Sequence, residues 1–150
     1  MKSDVKKVLA VASFGGHWTQ LNRLMPFFDK YETRFITTES SVQKLRPQVR
    51  IVRDANRNTK LSILICSLQL IWQLLIFRPH LIVSTGALPG VIALTLGRLM
   101  GCKTVWIDSI ANGEELSMSG KLAGKVAHQW LTQWPNLATE QGPHYRGRVL

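Results

Sequence analysis

Ser13-Phe14-Gly15-Gly16-His17 is the first stretch of the chain whose residue types could do chemistry. Adjacent glycines after an apolar run let the backbone approach a ligand closely. A helix that begins there presents unpaired N–H groups suited to an anion. His17, at the helix start, can hydrogen-bond a diphosphate or accept a proton from a sugar hydroxyl; it can equally be a capping residue in a tight turn. The pattern is not the dinucleotide fingerprint, because G-x-G-x-x-G is absent.

The second candidate is Ser84-Thr85-Gly86-Ala87-Leu88-Pro89-Gly90. Gly86, Pro89 and Gly90 would make a sharp loop, with Ser84 and Thr85 supplying hydroxyls, although an ordinary strand-to-helix connection looks similar. The third runs from Asp108-Ser109 through Glu114 to Ser117-Met118-Ser119-Gly120-Lys121. A carboxylate at a strand end suits acid/base work or the binding of sugar hydroxyls; Asp108 and Glu114 can each be structural instead. Ser117 or Ser119 can cap a helix whose exposed face carries Lys121 and Lys125 four residues apart. The sequence shows no nucleophile–base pair and no complete catalytic set. Cys66 and Cys102 lie in apolar surroundings with neither metal-site nor disulfide spacing, which fits a reduced, cytosolic setting. Neither a metal nor a cofactor is expected.

The elements that must position these groups follow from an alternation of short β-branched runs with longer helical ones, the sign of a parallel sheet covered by helices. Strands are predicted at 8–13, 34–38, 49–52, 81–85, 103–107 and 130–134. Helices are predicted at 17–28, 61–77, 91–100 and 117–127, with residues 86–90 as a loop. Arg78-Pro79 closes the long helix, and the proline biases Arg78 towards an extended conformation. The fold class is therefore α/β, a single Rossmann-like domain over 1–150 with a mostly parallel sheet. The opening MKSDVKKVLAVASFGG does not read as a secretory signal, since its short apolar run ends in Gly-Gly-His.

Residues 61–77 (LSILICSLQLIWQLLIF) carry no charge. Ser62, Cys66, Gln69 and Gln73 draw one narrow polar stripe and leave the rest of the circumference apolar. A helix lying on a sheet needs one apolar face, so apolar surface is left over. The segment can be a core helix capped by neighbouring structure, an in-plane membrane or docking helix, or a spanning helix. At ~1.5 Å per residue it reaches roughly 26 Å, slightly short of a hydrocarbon core. A single crossing would also put the strands before and after it on opposite sides of the bilayer. Arg53, Arg57, Lys60 and Arg78 flank it with cations that attract lipid phosphates, which favours peripheral attachment.

Nineteen Lys plus Arg against nine Asp plus Glu give a net charge of +10, favouring anionic lipid, phosphate-bearing substrates or nucleic acid. Nucleic acid is disfavoured, because basic runs interleaved with aromatics are missing and the tryptophans mostly sit in apolar stretches. A chain of 150 residues suffices for one domain with a real core but not for an enzyme needing two Rossmann halves.

In order, SFGGHWTQLNRL, RPHLIVSTGALPG, CKTVWIDS, LSMSGKLA and LTQWPNL resemble the membrane-bound subunit of the two-part N-acetylglucosaminyltransferase of dolichol-linked oligosaccharide synthesis, and its bacterial relatives in exopolysaccharide and capsule assembly. The resemblance covers residues 7–137. It implies the N-terminal, acceptor-binding half of a GT-B glycosyltransferase split into two polypeptides. That half sits peripherally on the cytoplasmic face of the membrane, binds a polyprenyl-diphosphate-linked sugar and recruits a catalytic subunit that holds most of the UDP-sugar donor. The family's Gly-Gly-His falls on Gly15, Gly16 and His17, its glycine loop on Gly86 through Gly90, its acidic strand end on Asp108 and its Ser-Gly-Lys on Ser119, Gly120 and Lys121. Read this way, His17 and Asp108 are the candidate bases. Ser13, Gly15, Gly16, Thr85, Gly86, Gly90, Ser109, Glu114, Ser119, Gly120 and Lys121 are the candidate substrate contacts. The chain departs from the pattern at Ser109-Ile110-Ala111-Asn112, where many relatives have Ser-Phe-Ala-Arg, which puts a phosphate contact there in doubt. A non-enzymatic membrane scaffold for a transferase is the alternative. The tail from Thr139 to Leu150, with its Gly-Pro and cations, is assigned to the surface or to partner contact.

Overall fold

The computed structural model describes residues 6–149; the first five residues of the opening read for a signal, and Leu150 of the tail, lie outside them. Val8 to Ala12 form a nearly unbroken apolar run, and a strand buried on both faces is the structure that can use it. This is β1 (Lys7–Ala12), an interior strand of a seven-stranded parallel sheet with β2 (Glu32–Thr37), β3 (Arg50–Ile51), β4 (Leu81–Gly86), β5 (Lys103–Ile107), β6 (Gln129–Thr132) and β7 (His144–Tyr145). The order is β3-β2-β1-β4-β5-β6-β7. Every pairing is parallel.

Side-chain alternation along β1 splits the core. Val8, Ala10 and Ala12 pack with Trp18, Leu21, Phe28 and Val42 of α1 (Gly16–Asn22), α2 (Met25–Phe28) and α3 (Ser40–Leu45). Leu9 and Val11 pack on the opposite face with Cys66, Leu70 and Leu74 of α4 (Lys60–Phe77), Ala93 and Leu94 of α5 (Leu88–Leu99) and Ala123 of α6 (Met118–Ala123). The chain leaves β1 in one direction and β4 in the other, so the two neighbouring strands define a topological switch point.

Several expected boundaries are corrected. The helix expected over 17–28 breaks at Arg23-Leu24, and Pro26, which has no N–H to give, starts a new turn as part of α2. α3 is an addition, started by Glu39, whose carboxylate accepts from the Ser41 N–H at 3.2 Å. α5 begins at Leu88 rather than Val91 because Pro89 fits a first turn, where no donor is needed; Leu88 to Gly90 are helix, not loop. Arg78 is left-handed (φ 52°, ψ 61°) rather than extended, and closes α4 by donating its N–H to Leu74 O. Trp134 lies past the end of β6, before a single 3₁₀ turn at Pro135–Leu137. The tail read as surface contributes β7 to the sheet.

α4 is turned inside out. Ser62 and Cys66 are buried with Leu70, Leu74 and Phe77, and the polar stripe is spent inward: Gln69 Oε1 accepts from the Arg53 N–H, and Gln73 Oε1 from Arg34. Leu61, Leu64, Leu68, Trp72, Leu75 and Ile76 face outward and exposed. Among the described residues α4 is the one helix long and apolar enough to cross a membrane, yet it links two strands of the same sheet.

Candidate functional site

Gly15 ends the loop after β1 with φ 101°, a conformation side chains avoid, and thereby turns the chain into α1. His17 enters the first turn of α1 and reaches across the switch point to β4. Its Nδ1 lies 3.2 Å from the Thr85 carbonyl oxygen, and the Thr85 hydroxyl donates back to the His17 carbonyl at 2.6 Å. A carbonyl oxygen can only accept, so the neutral ring carries its proton on Nδ1 and its lone pair on Nε2. Among the described residues Nε2 has no recorded partner. Gly86 is required beneath the ring, since a Cβ there would land inside the imidazole. Gly15, Gly16, His17, Thr85 and Gly86 thus form one cluster.

Asp108, at the end of β5, is buried and fully engaged. Oδ1 accepts from the Ser117 hydroxyl (2.6 Å) and from the Trp106 indole (3.2 Å), and Oδ2 from the Ser117 N–H (3.1 Å). Ser117 then caps α6 by accepting from the Gly120 N–H at 2.8 Å. Gly120 is glycine because a Cβ would collide with the Asp108 carboxylate. Asp108 therefore anchors the 109–117 loop on β5, the structural alternative open to it in the sequence.

Two glutamines that the residue types did not flag join these clusters. Gln20 on α1 donates to the Ser109 hydroxyl (3.0 Å) and accepts from the Ile110 N–H (3.1 Å) and from Gln133 (2.6 Å). Gln133 also donates to the Asp108 carbonyl (2.9 Å) and accepts from the Val149 N–H (2.9 Å). Both are buried, and each unsatisfied amide would be costly, so they lock α1, the loop after β5 and the tail together. A buried glutamine leaves no mark in periodicity; the Gln-Trp-Pro element was the one hint.

The remaining candidates disperse. Ser13 is buried and points its hydroxyl to Asp54 Oδ1 at 3.4 Å. Gly90 is buried in α5, where its missing Cβ makes room for Ser84 and Trp106; it is a packing glycine rather than an open turn. Glu114 is exposed, Ser119 half-buried, and Lys121 pairs with Glu115 at 3.2 Å on the surface. Among the described residues none of these three is bonded to the His17 cluster. Burial pushes the Cys66 thiol up to about 11, helped by the Asp54 carboxylate, and raises Cys102 as well, so neither is a nucleophile at neutral pH. No group of three or more His, Cys, Asp or Glu suited to a metal occurs among the described residues. A hollow of about 550 Å³ beside Val8, Pro79, His80 and Lys103 lies at the amino ends of the strands, away from the switch point.

Known proteins resemble this chain in sequence and in fold. The UDP-N-acetylglucosamine transferase subunit ALG14 of Mus musculus is 28% identical over 184 aligned positions, covering 96% of this chain and 83% of that protein. The subunit of the same name from Eremothecium gossypii is 35% identical over 66 residues, 40% of this chain and 30% of the relative. Among solved structures, MurG of Acinetobacter baumannii superposes with a TM-score of 0.73 at 13% identity, covering 95% of this chain and 45% of that one. A UDP-N-acetylglucosamine 2-epimerase from Rickettsia bellii gives 0.72 at 13% identity, covering 97% and 45%. The chain thus spans less than half the length of these GT-B structures and 30% of the Eremothecium relative. The family model described as "Oligosaccharide biosynthesis protein Alg14 like" matches residues 11–149, and the chain belongs to that family.

Proposed function

We propose that residues 1–150 form the acceptor-side subunit of a heteromeric UDP-sugar glycosyltransferase that builds a polysaccharide or lipid-linked oligosaccharide. The carrying observation is the family match over 11–149, joined by a relative named as a UDP-N-acetylglucosamine transferase subunit that aligns over 96% of this chain. The relatives are named as subunits, and in this reading a companion subunit faces the switch point and supplies the opposite wall and most of the contacts to the UDP-sugar.

In this reading the polyprenyl-diphosphate-linked sugar presents its reacting hydroxyl above the carboxyl ends of β1 and β4. His17 Nε2 takes the proton of an acceptor hydroxyl. The oxygen attacks the anomeric carbon of the donor as its bond to UDP breaks with both electrons going to the diphosphate, inverting the centre. The lone pair on Nε2 suits the task, because the Thr85 carbonyl holds the other nitrogen protonated. Gly15 and Gly16 keep the backbone open to an anion. Asp108, with donors on both oxygens, holds the loop that presents Ser109; Glu114, Ser119 and Lys121 belong to the rim where donor and companion meet. The exposed apolar face of α4, flanked by Arg53, Arg57, Lys60 and Arg78, seats the subunit peripherally on the cytoplasmic face of a membrane.

Steady-state transfer by the reconstituted pair tests the role of His17. Replacing His17 by Ala should lower kcat by about 10²–10⁴-fold, the usual worth of a general base, with folding intact. Turnover equal to wild type would leave the chain a scaffold.

A further inference from the structure

Beside the glycine loop, at the carboxyl ends of β2 and β3, lies a hollow of about 430 Å³ that the proton transfer at His17 does not use. Thr38, Glu39, Arg53 and Asp54 line it, and Ile65 and Gln69 of α4 form one wall. Arg53 is fastened at two points. Its N–H donates to Gln69 Oε1 at 2.6 Å and its Nε to the buried Ser62 hydroxyl at 3.1 Å. These contacts explain why α4 turns polar groups inward. Among the described residues no carboxylate pairs with Arg53, and its two terminal guanidinium nitrogens have no recorded partner. A guanidinium braced in direction with its terminal fork open matches the geometry of a phosphate.

The two carboxylates nearby are half used. Asp54 Oδ1 accepts from the Ala55 N–H at 3.0 Å and from Ser13 at 3.4 Å, which ties the hollow to the glycine loop. Glu39 Oε1 is taken by the start of α3. Each keeps a second oxygen able to accept from a sugar hydroxyl. A bare phosphate headgroup would meet these carboxylates as repulsion, whereas a glycosyl diphosphate offers them donors.

Building on the acceptor-side reading, we infer that this hollow seats the acceptor's glycosyl diphosphate head. The Arg53 fork takes the diphosphate, Asp54 and Glu39 take sugar hydroxyls, and the prenyl chain leaves past Ile65 onto the apolar face at Leu61, Leu64 and Leu68. The volume lies within the roughly 300–1,000 Å³ of small-ligand sites. The glycine loop, through Ser13, is the adjoining wall.

Calorimetric titration of the full chain in neutral detergent with a C15 prenyl diphosphate that carries one glucose tests this, with the C15 prenyl alcohol as control. Arg53→Ala should weaken the diphosphate about 10- to 100-fold, the worth of a charge-assisted hydrogen-bonded pair, and leave the alcohol unchanged. Arg53→Lys keeps the charge but not the fork and should fall between. Ser62→Ala, which removes one brace, should cost a smaller factor. Arg57→Ala, whose guanidinium reaches Met118 instead, should stay within about twofold of wild type for the diphosphate. In a second arm, binding to phosphatidylglycerol vesicles should change no more for Arg53→Ala than for Arg57→Ala. Diphosphate binding by Arg53→Ala equal to wild type, or equal losses for Arg53→Ala and Arg57→Ala in both arms, would overturn the assignment and leave general attraction to anionic lipid. Because binding is read without turnover, a wild-type pair that transfers no sugar would remove the proposed function and leave this result standing.

Discussion

Replacing Leu64, Leu68 and Trp72 together by Gln perturbs membrane attachment where the structure makes its size calculable. These side chains keep 55%, 58% and 63% of their surface exposed, although they stand on a helix with few charges to justify the contact with water. Full burial of such a side chain is worth about 1.5–3 kcal/mol, so the exposed share of each represents roughly 1 kcal/mol available to a lipid surface. The triple replacement forfeits about 3 kcal/mol, a drop in vesicle partitioning of about 100-fold. Unfolding stability should move little, since substitutions on the outer face touch no core contact. Co-sedimentation with zwitterionic vesicles at high salt isolates the apolar contribution from the flanking cations, which act through roughly one Debye length. In wild type, Trp72 fluorescence should shift to the blue on binding. Partitioning of the triple variant within about threefold of wild type, a bound that a 1 kcal/mol loss would already exceed, would refute the outward face as a membrane contact.

Asp108→Ala should destabilise the fold by about 3 kcal/mol or more, because three donors around a buried carboxylate lose their acceptor; denaturant unfolding reads this as a lower midpoint. Gln20→Ala and Gln133→Ala should couple in a double-mutant cycle by about 0.5–3 kcal/mol, since each amide satisfies the other; additive losses would dissolve the clasp. Cys66 should resist alkylation in the native protein at pH 8 and react on unfolding, because burial raises its thiol to about 11 from an ordinary 9. The folded state holds this proton more tightly than the unfolded one, so the thiol's contribution to stability is complete below pH 9 and is lost as pH climbs towards 11. A midpoint independent of pH across that window in wild type, and unaltered by Cys66→Ser, would contradict it.

The alternation of apolar runs with helical segments was enough to read the parallel sheet, and the Gly-Gly-His turn was enough to place a loop at the switch point. What escaped was decided by partners distant in sequence. Gly90 resembles a loop glycine, and Gly120 a substrate contact, until Ser84 and Asp108 are seen where their Cβ atoms would be. Asp108 looks like a strand-end base until Ser117, nine residues on, takes both its oxygens. The polar stripe of α4 was legible, but not its direction: Arg53 and Arg34, which pull Gln69 and Gln73 inward, lie in separate segments of the chain. β7 was invisible for a similar reason, because two residues carry no periodicity and their pairing with β6 alone defines the strand.

Transfer from a UDP-sugar to a polyprenyl-diphosphate sugar, compared for the purified chain alone, its purified companion alone and a titration of one with the other, is the most direct measurement. Activity should be negligible for either protein and rise to a plateau at equimolar mixing. Turnover by the lone chain at the rate of the mixture would contradict the proposal that its single Rossmann unit is half of a catalytic cleft.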